Sequence, residues 1–158
     1  MSIGLLTIVS ALSAIALGAA LAAKIIKKPS GTEKMRQVAS AIAEGARAYL
    51  IRQYKTVALI AVPIFLGLGF LVNWPTALSF LVGALLSALA GIIGMNISIR
   101  ANVRTAAAAS EGLAKAFSVA VEGGAITGLL VVGLALLGVA GLYFFNPNIF
   151  SPANLIGL

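Results

Sequence analysis

The chain has 158 residues, of which 61% are hydrophobic and 9% charged. A water-soluble domain carries about a quarter of its residues as Asp, Glu, Lys and Arg. Lipid must therefore solvate most of this chain. It contains no cysteine and no histidine, which excludes disulfides, thiolate metal sites, cysteine nucleophiles and imidazole catalysis. A net charge of +7 would suit a nucleic-acid partner, but the eleven basic residues form two clusters between apolar runs, at 24–55 and 100–115, which is typical of membrane-protein loops instead.

The first predicted element is a membrane-spanning segment over residues 3–23, "IGLLTIVSALSAIALGAALAA", which is uncharged and reaches the roughly twenty residues needed to cross a bilayer. Hydrocarbon offers no partner for backbone N–H and C=O groups, so each span of this chain is predicted to be helical. A cleaved signal peptide is the alternative for this segment. Its apolar core would be shorter and would follow a basic residue, whereas here the basic cluster comes after the core, from Lys24 onward, so we favour a retained helix.

The basic loop over residues 24–55 is itself predicted to contain a helix. Pro29 and Gly31 interrupt the chain, and Ser30 with Glu33 fits a capping box at the start of the next helix. Apolar residues then recur at helical spacing, at Met35, Val38, Ile42, Ala46 and Tyr49. This stripe predicts an amphipathic helix that packs on the protein or on the membrane surface, and a ligand-binding role for its basic residues is the alternative.

Two further spans are predicted at 56–72 and 77–99, joined by the uncharged turn "NWPT". Pro63 is expected to kink the first of these two helices. Gly83, Ser87 and Gly91 stand four residues apart in the second, a spacing that lets neighbouring helices approach closely. The two spans are therefore predicted to belong to a multi-helix bundle.

The second basic loop, over residues 100–122, is rich in alanine, which favours a helix. Arg100 and Arg104 are four residues apart and share one face, and Glu111 and Lys115 form an i,i+4 pair. The fourth span follows at 125–145, with Gly124 and Gly128 at the spacing of close helix packing. Glu122 is the acidic residue nearest to a span, where a role in an ion path is the functional hypothesis, but we expect it at the cytoplasmic edge.

The loops alternate in charge, and this alternation predicts the orientation of the chain. Both basic loops, 24–55 and 100–122, are placed in the cytoplasm by the positive-inside rule, and Trp74 and the aromatic residues 143–145 fit the opposite interface. The amino terminus, the turn "NWPT" and the carboxyl end are then outside. The predicted fold is an all-α polytopic membrane protein, a single domain over residues 1–158 with four transmembrane helices and two cytoplasmic helical extensions.

Two segments resemble a known family: "GTEKMRQVASAIAEGARAYLIRQYKT" and "GMNISIRANVRTAAAASEGLAKAFSVAVEGGAITGLL" are similar to the amino-terminal part of the membrane-integral inorganic pyrophosphatases. The resemblance covers nearly the whole chain in order, and the blocks 44–55 and 94–105 are specific in combination. It implies the amino-terminal part of a longer, homodimeric pump of the cell membrane, which hydrolyses inorganic diphosphate with Mg²⁺ and transports protons or sodium ions. The carboxyl end, "NPNIFSPANLIGL", reads as if a further helix were about to begin.

The resemblance also implies that diphosphate and Mg²⁺ are held by aspartate-rich motifs on later helices, which agrees with the preference of hard cations for clustered carboxylates. This chain has no aspartate, and its glutamates are scattered, at Glu33, Glu44, Glu111 and Glu122. We therefore expect no catalytic, cofactor-binding or metal-binding residue in it, and no activity from the isolated chain. The residues expected to act as cytoplasmic anchors and inter-helix partners are Arg47, Arg52, Arg100 and Arg104.

Two other classes of function stay open. A self-standing four-helix membrane assembly or regulatory subunit would need no catalytic residue, and a reading frame that ends at Leu158 would favour it. A small multidrug-type carrier also has four spans, but it needs a membrane-embedded carboxylate for proton coupling. No predicted span has an acidic residue at its centre, which disfavours the carrier.

Overall fold

The computed structural model describes residues 3–145, and this range consists of four long helices with short connections. They are α1 (Ile3–Ile26), α2 (Glu33–Leu71), α3 (Trp74–Ala109) and α4 (Leu113–Phe145). Each is long and apolar enough to cross a membrane. The prediction of an all-α membrane protein with four spanning helices is confirmed, and the prediction about the carboxyl end, at 146–158, lies outside the described residues.

The predicted loop helices and the predicted spans are continuous with each other. Helix α2 runs without interruption for 39 residues and passes through Pro63, and α3 runs for 36 residues across the boundary expected at 99–100. At 1.5 Å per residue, α2 is about 58 Å long, nearly twice the thickness of a hydrocarbon core. A large part of α2 must therefore project beyond the hydrocarbon.

The start of α2 differs from the predicted capping box. The N-cap residue is Thr32, whose Oγ1 accepts a hydrogen bond from the backbone N–H of Met35 at 3.3 Å. Ser30 cannot hold that position, because Gly31 adopts a left-handed backbone with φ +76° and turns the chain between Ser30 and the helix. The carboxylate of Glu33 pairs instead with Arg36, one turn along the helix, at 2.6 Å.

A short turn makes α2 and α3 antiparallel neighbours. The Asn73 side chain caps α3 by accepting a hydrogen bond from the Thr76 N–H at 2.8 Å, and Pro75 occupies the first turn, where a missing N–H costs nothing. The Trp74 ring packs edge-on against Phe70, with ring centroids 5.3 Å apart. Gly69 leaves room for that ring, since a Cβ there would lie 2.8 Å from it.

The helices pack in the spatial order α1, α4, α3, α2, with a contact between α1 and α3 as well. A buried apolar cluster forms where α1, α3 and α4 meet, and its members are Ala22, Ile25, Ile97, Ala101, Ile126 and Leu130. All of them except Leu130 lie in the half of the helix that includes its basic end, and Leu130 lies at the middle of α4. The apolar cluster is therefore nearer to the basic segments than to the opposite end of the bundle, and α2 lies at one edge of the row.

The apolar stripe predicted on α2 is only partly covered by the rest of the described chain. Met35 and Ala46 are half-buried, whereas Val38, Ile42 and Tyr49 are 56%, 53% and 58% exposed. The face that α2 turns toward α3 is rotated from the predicted stripe, and its half-buried residues include Ala39, Ala43, Leu50 and Tyr54. Packing against a second helix thus selects a face, made of both small and large residues, that the hydrophobic pattern alone did not single out.

The glycines that mediate helix contact are also different from the expected ones. Around Gly124 and Gly128 the space for a Cβ is open among the described residues, so they do not pack helices together within this part of the chain. On the same helix, Gly133 lies against α1, where a Cβ would come within 3.0 Å of the backbone oxygen of Ala11. Gly91 on α3 does act as predicted, because a side chain there would collide with the Tyr54 hydroxyl of α2.

A candidate charged site at the basic ends of the helices

Glu122 of α4 joins that helix to the carboxyl-terminal end of α1. Its Oε1 accepts a hydrogen bond from Lys24 Nζ at 2.9 Å, and its Oε2 accepts one from Lys28 Nζ at 2.6 Å. The glutamate side chain is only 18% exposed, so the two ammonium groups compensate most of its lost hydration. These contacts place Glu122 beside the basic residues Lys24 and Lys28 and give it a structural role, while its expected location at the cytoplasmic edge stays a prediction.

Arg104 of α3 binds the same end of α1 through backbone carbonyls. Its Nη2 donates to the Ile26 oxygen at 2.7 Å and its Nε donates to the Lys28 oxygen at 3.0 Å. The last carbonyls of a helix lack intrahelical partners and carry the negative end of the helix dipole, so a guanidinium is favourable there. The third bond, from Nη1 to the Arg100 oxygen at 2.8 Å, fixes the side chain on its own helix. The prediction of Arg104 as an inter-helix partner is confirmed.

These four side chains form what we call the charged cluster: Lys24, Lys28, Arg104 and Glu122. The cluster connects α1 to α3 and to α4, and Ile25 of the buried apolar cluster lies between Lys24 and Lys28 along the chain. Its chemistry is that of ion pairs and carbonyl capping, with every charged group directed at a partner within the chain. It therefore acts as a structural connection between helices.

Arg47 and Arg100 are brought together elsewhere, across the boundary between α2 and α3. Both line a crevice of about 550 Å³, together with Tyr54 and Asn96. Neither guanidinium makes a hydrogen bond or an ion pair with any residue in the range 3–145. The fourth predicted arginine, Arg52, is exposed on α2 and does not line this crevice.

The remaining glutamates are dispersed, and two of them have a partner within one turn of their own chain segment. Glu33 pairs with Arg36 at 2.6 Å and Glu111 with Lys115 at 2.7 Å. The hydrogen bond from Lys115 lowers the pKa of the Glu111 carboxyl below its ordinary value. Within residues 3–145, no three acidic side chains lie close enough together to hold a metal ion. The residues present therefore do not fit a site for Mg²⁺, which needs clustered oxygen ligands.

Sequence reasoning did not find the contacts between distant positions. Glu122 lies 94 residues from Lys28 along the chain, and Arg104 lies 78 residues from Ile26. The Tyr54 hydroxyl donates to the Ala88 carbonyl oxygen at 3.1 Å and so sets the register of α2 on α3. Helical spacing identifies neighbours three or four positions apart, and no such spacing links residues on different helices.

Comparison with known proteins identifies similar sequences along nearly the whole chain. The family model described as inorganic H⁺ pyrophosphatase matches residues 12–156. A K⁺-insensitive pyrophosphate-energized proton pump of Methanosarcina mazei is 49% identical over 137 residues, which are 85% of this chain and 20% of the relative. A K⁺-stimulated pyrophosphate-energized sodium pump of Thermotoga maritima is 39% identical over 157 residues, 91% of this chain and 21% of that relative.

The chain thus spans about a fifth of the length of these curated relatives. The matched region is the amino-terminal part of the relatives. Both relatives above are named as pumps energized by pyrophosphate. The resemblance derived from the two sequence segments is confirmed.

Proposed function

The chain belongs to the inorganic H⁺ pyrophosphatase family, and on this basis we propose that it is the amino-terminal, four-helix part of a pump that couples diphosphate hydrolysis to the transport of protons or sodium ions. The family match over residues 12–156 carries the proposal. Relatives named as a proton pump and as a sodium pump are both similar to it. The choice of ion is therefore assigned to the rest of the pump.

Within that pump the chain supplies helix packing and assembly. The apolar cluster and the charged cluster hold α1, α3 and α4 together, while the glutamates are dispersed or already paired with cations. Hydrolysis of diphosphate needs hard cations to neutralise the phosphoryl oxygens. We assign Mg²⁺ and diphosphate to the remaining helices, and no catalytic residue to this chain.

The proposed partners are the lipid bilayer, the remaining helices of the same pump and a second copy of the pump in a homodimer in the cell membrane. The exposed apolar side chains of α2 support the proposed contact with the remaining helices of the pump. Val38, Ile42 and Tyr49 are more than half exposed on the part of α2 that is too long to fit inside hydrocarbon. Exposed apolar patches outside lipid are characteristic of an interface, and here the rest of the pump is the proposed cover.

Expression of the complete native reading frame tests this proposal. Membranes from a host without its own membrane pyrophosphatase should gain Mg²⁺-dependent diphosphate hydrolysis and diphosphate-driven ion uptake. Residues 1–158 expressed alone should give neither. The variant Glu111→Gln in the complete protein is the matched control. It removes the exposed ion pair with Lys115 and should keep hydrolysis unchanged.

A complete reading frame that inserts into the membrane but shows no hydrolysis would overturn the pump proposal. A stop codon after Leu158 would overturn it as well. Either result would favour the self-standing assembly or regulatory subunit, and co-purification of the partner would be the next measurement.

A further inference from the structure

The crevice between α2 and α3 combines apolar walls with two cationic side chains. It has a volume of about 550 Å³, and Leu50, Ile51, Ile92 and Ile99 form much of its apolar surface. Arg47 of α2 and Arg100 of α3 line the same space. We call this space the α2–α3 crevice.

Helix register places the α2–α3 crevice at the edge of the hydrocarbon core. The bond from Tyr54 to the Ala88 oxygen aligns residues 43–54 of α2 with residues 92–100 of α3. Counted from Trp74, a core about 30 Å thick takes about twenty residues of α3 and ends near residue 93. Arg100 lies about 10 Å further along, so the crevice extends from the core boundary into the headgroup layer.

The charges that line the α2–α3 crevice have no counter-ion in the described chain. Arg47 and Arg100 form no ion pair within residues 3–145, and two cations that share one crevice repel each other. Three of the four glutamates, Glu33, Glu111 and Glu122, are already paired with other basic side chains. Glu44 is exposed on α2 and does not line the crevice. Both arginines are exposed, so an anion from outside these residues can reach them and would relieve this repulsion.

We propose that the α2–α3 crevice binds an anionic phospholipid, with its phosphate between the guanidinium groups of Arg47 and Arg100 and its acyl chains along the apolar wall. Guanidinium groups bind phosphate oxygens through paired N–H donors, a geometry that lysine cannot reproduce. Basic residues next to transmembrane helices attract anionic headgroups. The apolar wall favours a lipid over free phosphate, which would gain nothing from Ile92 or Ile99.

Native mass spectrometry of the complete protein tests the proposal. The detergent-purified protein is titrated with phosphatidylglycerol and, separately, with phosphatidylcholine of the same acyl chains. The unaltered protein should retain phosphatidylglycerol in preference to phosphatidylcholine. The double variant Arg47→Gln, Arg100→Gln should weaken phosphatidylglycerol binding about tenfold, because two charge-assisted contacts are lost.

Arg52→Gln is the matched control, because it removes a positive charge from the same helix without changing the crevice. It should leave the phosphatidylglycerol affinity unchanged. Equal losses in Arg52→Gln and in the double variant would show general attraction to a basic surface and overturn the site. Displacement of the lipid by millimolar inorganic phosphate or diphosphate would also overturn it, because the occupant would then be a free anion.

A second measurement does not depend on any variant. A cryo-electron microscopy map of the unaltered protein in phosphatidylglycerol nanodiscs should show headgroup density between Arg47 and Arg100 with acyl density toward Ile92. Protein density from the remainder of the pump in that position would overturn the proposal. It would identify the crevice as an intramolecular interface instead.

Discussion

At the scale of single residues, Glu122 and Arg104 hold the end of α1 by two different kinds of contact. Glu122 uses opposite charge, with both carboxylate oxygens engaged by ammonium groups of Lys24 and Lys28. Arg104 uses neutral acceptors, the carbonyl oxygens of Ile26 and Lys28. Lys28 takes part in both through its side chain and its backbone. The two contacts therefore position the same segment and should be partly coupled.

The variant Glu122→Gln should lower the free energy of unfolding by about 1 kcal/mol, the upper end for partly exposed ion pairs. The amide keeps the shape of the side chain but leaves the ammonium groups of Lys24 and Lys28 without a counter-charge. Thermal unfolding in detergent measures the change. Glu111→Gln removes the exposed ion pair between Glu111 and Lys115; it is the control and should unfold like the unaltered protein. An equal loss of stability in both variants would contradict a special role for Glu122.

The variant Arg104→Ala should destabilise the protein by roughly 2 kcal/mol, because the carbonyl oxygens of Ile26 and Lys28 lose a charged donor. Arg104→Lys should recover only part of that loss, since one ammonium group cannot donate to both carbonyl oxygens as the guanidinium group does. Amide hydrogen exchange across residues 24–32 is the direct measurement and should become faster in both variants. Arg100→Ala, one turn away and without a side-chain bond in the described residues, should leave this exchange unchanged; faster exchange there too would argue against carbonyl capping by Arg104.

At the scale of helices, the contact between α1 and α4 depends on a site without a side chain. Gly133 lies against α1, where an added Cβ would meet Ile15 Cγ1 at 2.7 Å and the Ala11 oxygen at 3.0 Å. Ile15 can change its rotamer, whereas the backbone of Ala11 can move only with the whole helix. Close backbone approach of this kind is how membrane helices gain packing energy without a hydrophobic driving force.

The variant Gly133→Ala should destabilise the α1–α4 contact by about 1–3 kcal/mol, the usual range for overpacking. Resistance to unfolding in sodium dodecyl sulfate, followed by circular dichroism, measures the change. Gly128→Ala is the control on the same helix, because its Cβ would enter open space. A Gly128→Ala variant as unstable as Gly133→Ala would mean that helix propensity or another contact, and not the approach of α1, decides the outcome.

At the scale of the whole molecule, the row of helices α1–α4–α3–α2 has two chemically different ends. The basic segments lie at one end, with the apolar cluster beside them, and the turn with Trp74 lies at the other end. Helix α2 is at the edge of the row and is longer than the hydrocarbon requires. This arrangement leaves part of the surface of α2 uncovered by the other described helices, which is consistent with the proposed contacts to lipid and to the remainder of the pump.

The predicted orientation can be tested with single cysteines, because the native segment has none. Val72→Cys, in the turn between α2 and α3, should react with a membrane-impermeant maleimide from outside intact cells. Ser110→Cys, between α3 and α4, should react only after the membrane is opened, since positive-inside orientation places it in the cytoplasm. The reverse pattern of labelling would show that the charge rule is wrong for this chain.

Two features were determined by the sequence alone: the helical membrane fold and the family. Long uncharged runs permit only helices in lipid, and local spacing predicted the Glu111–Lys115 pair and the break between α1 and α2. These are properties of neighbouring residues. The pattern also predicted a cap two residues too early, because the left-handed backbone of Gly31 is not encoded in the spacing of Ser30 and Glu33.

Only the tertiary structure decided which distant residues meet. The order α1–α4–α3–α2, the use of Gly133 instead of Gly128, and the pairing of Glu122 with Lys24 and Lys28 all depend on how whole helices rotate and slide against each other. A helix with apolar residues on every side gives little information about its own rotation, because each face can enter lipid at similar cost. Close packing and the few charges at the helix ends make that choice, and both require the partner helix to be in place.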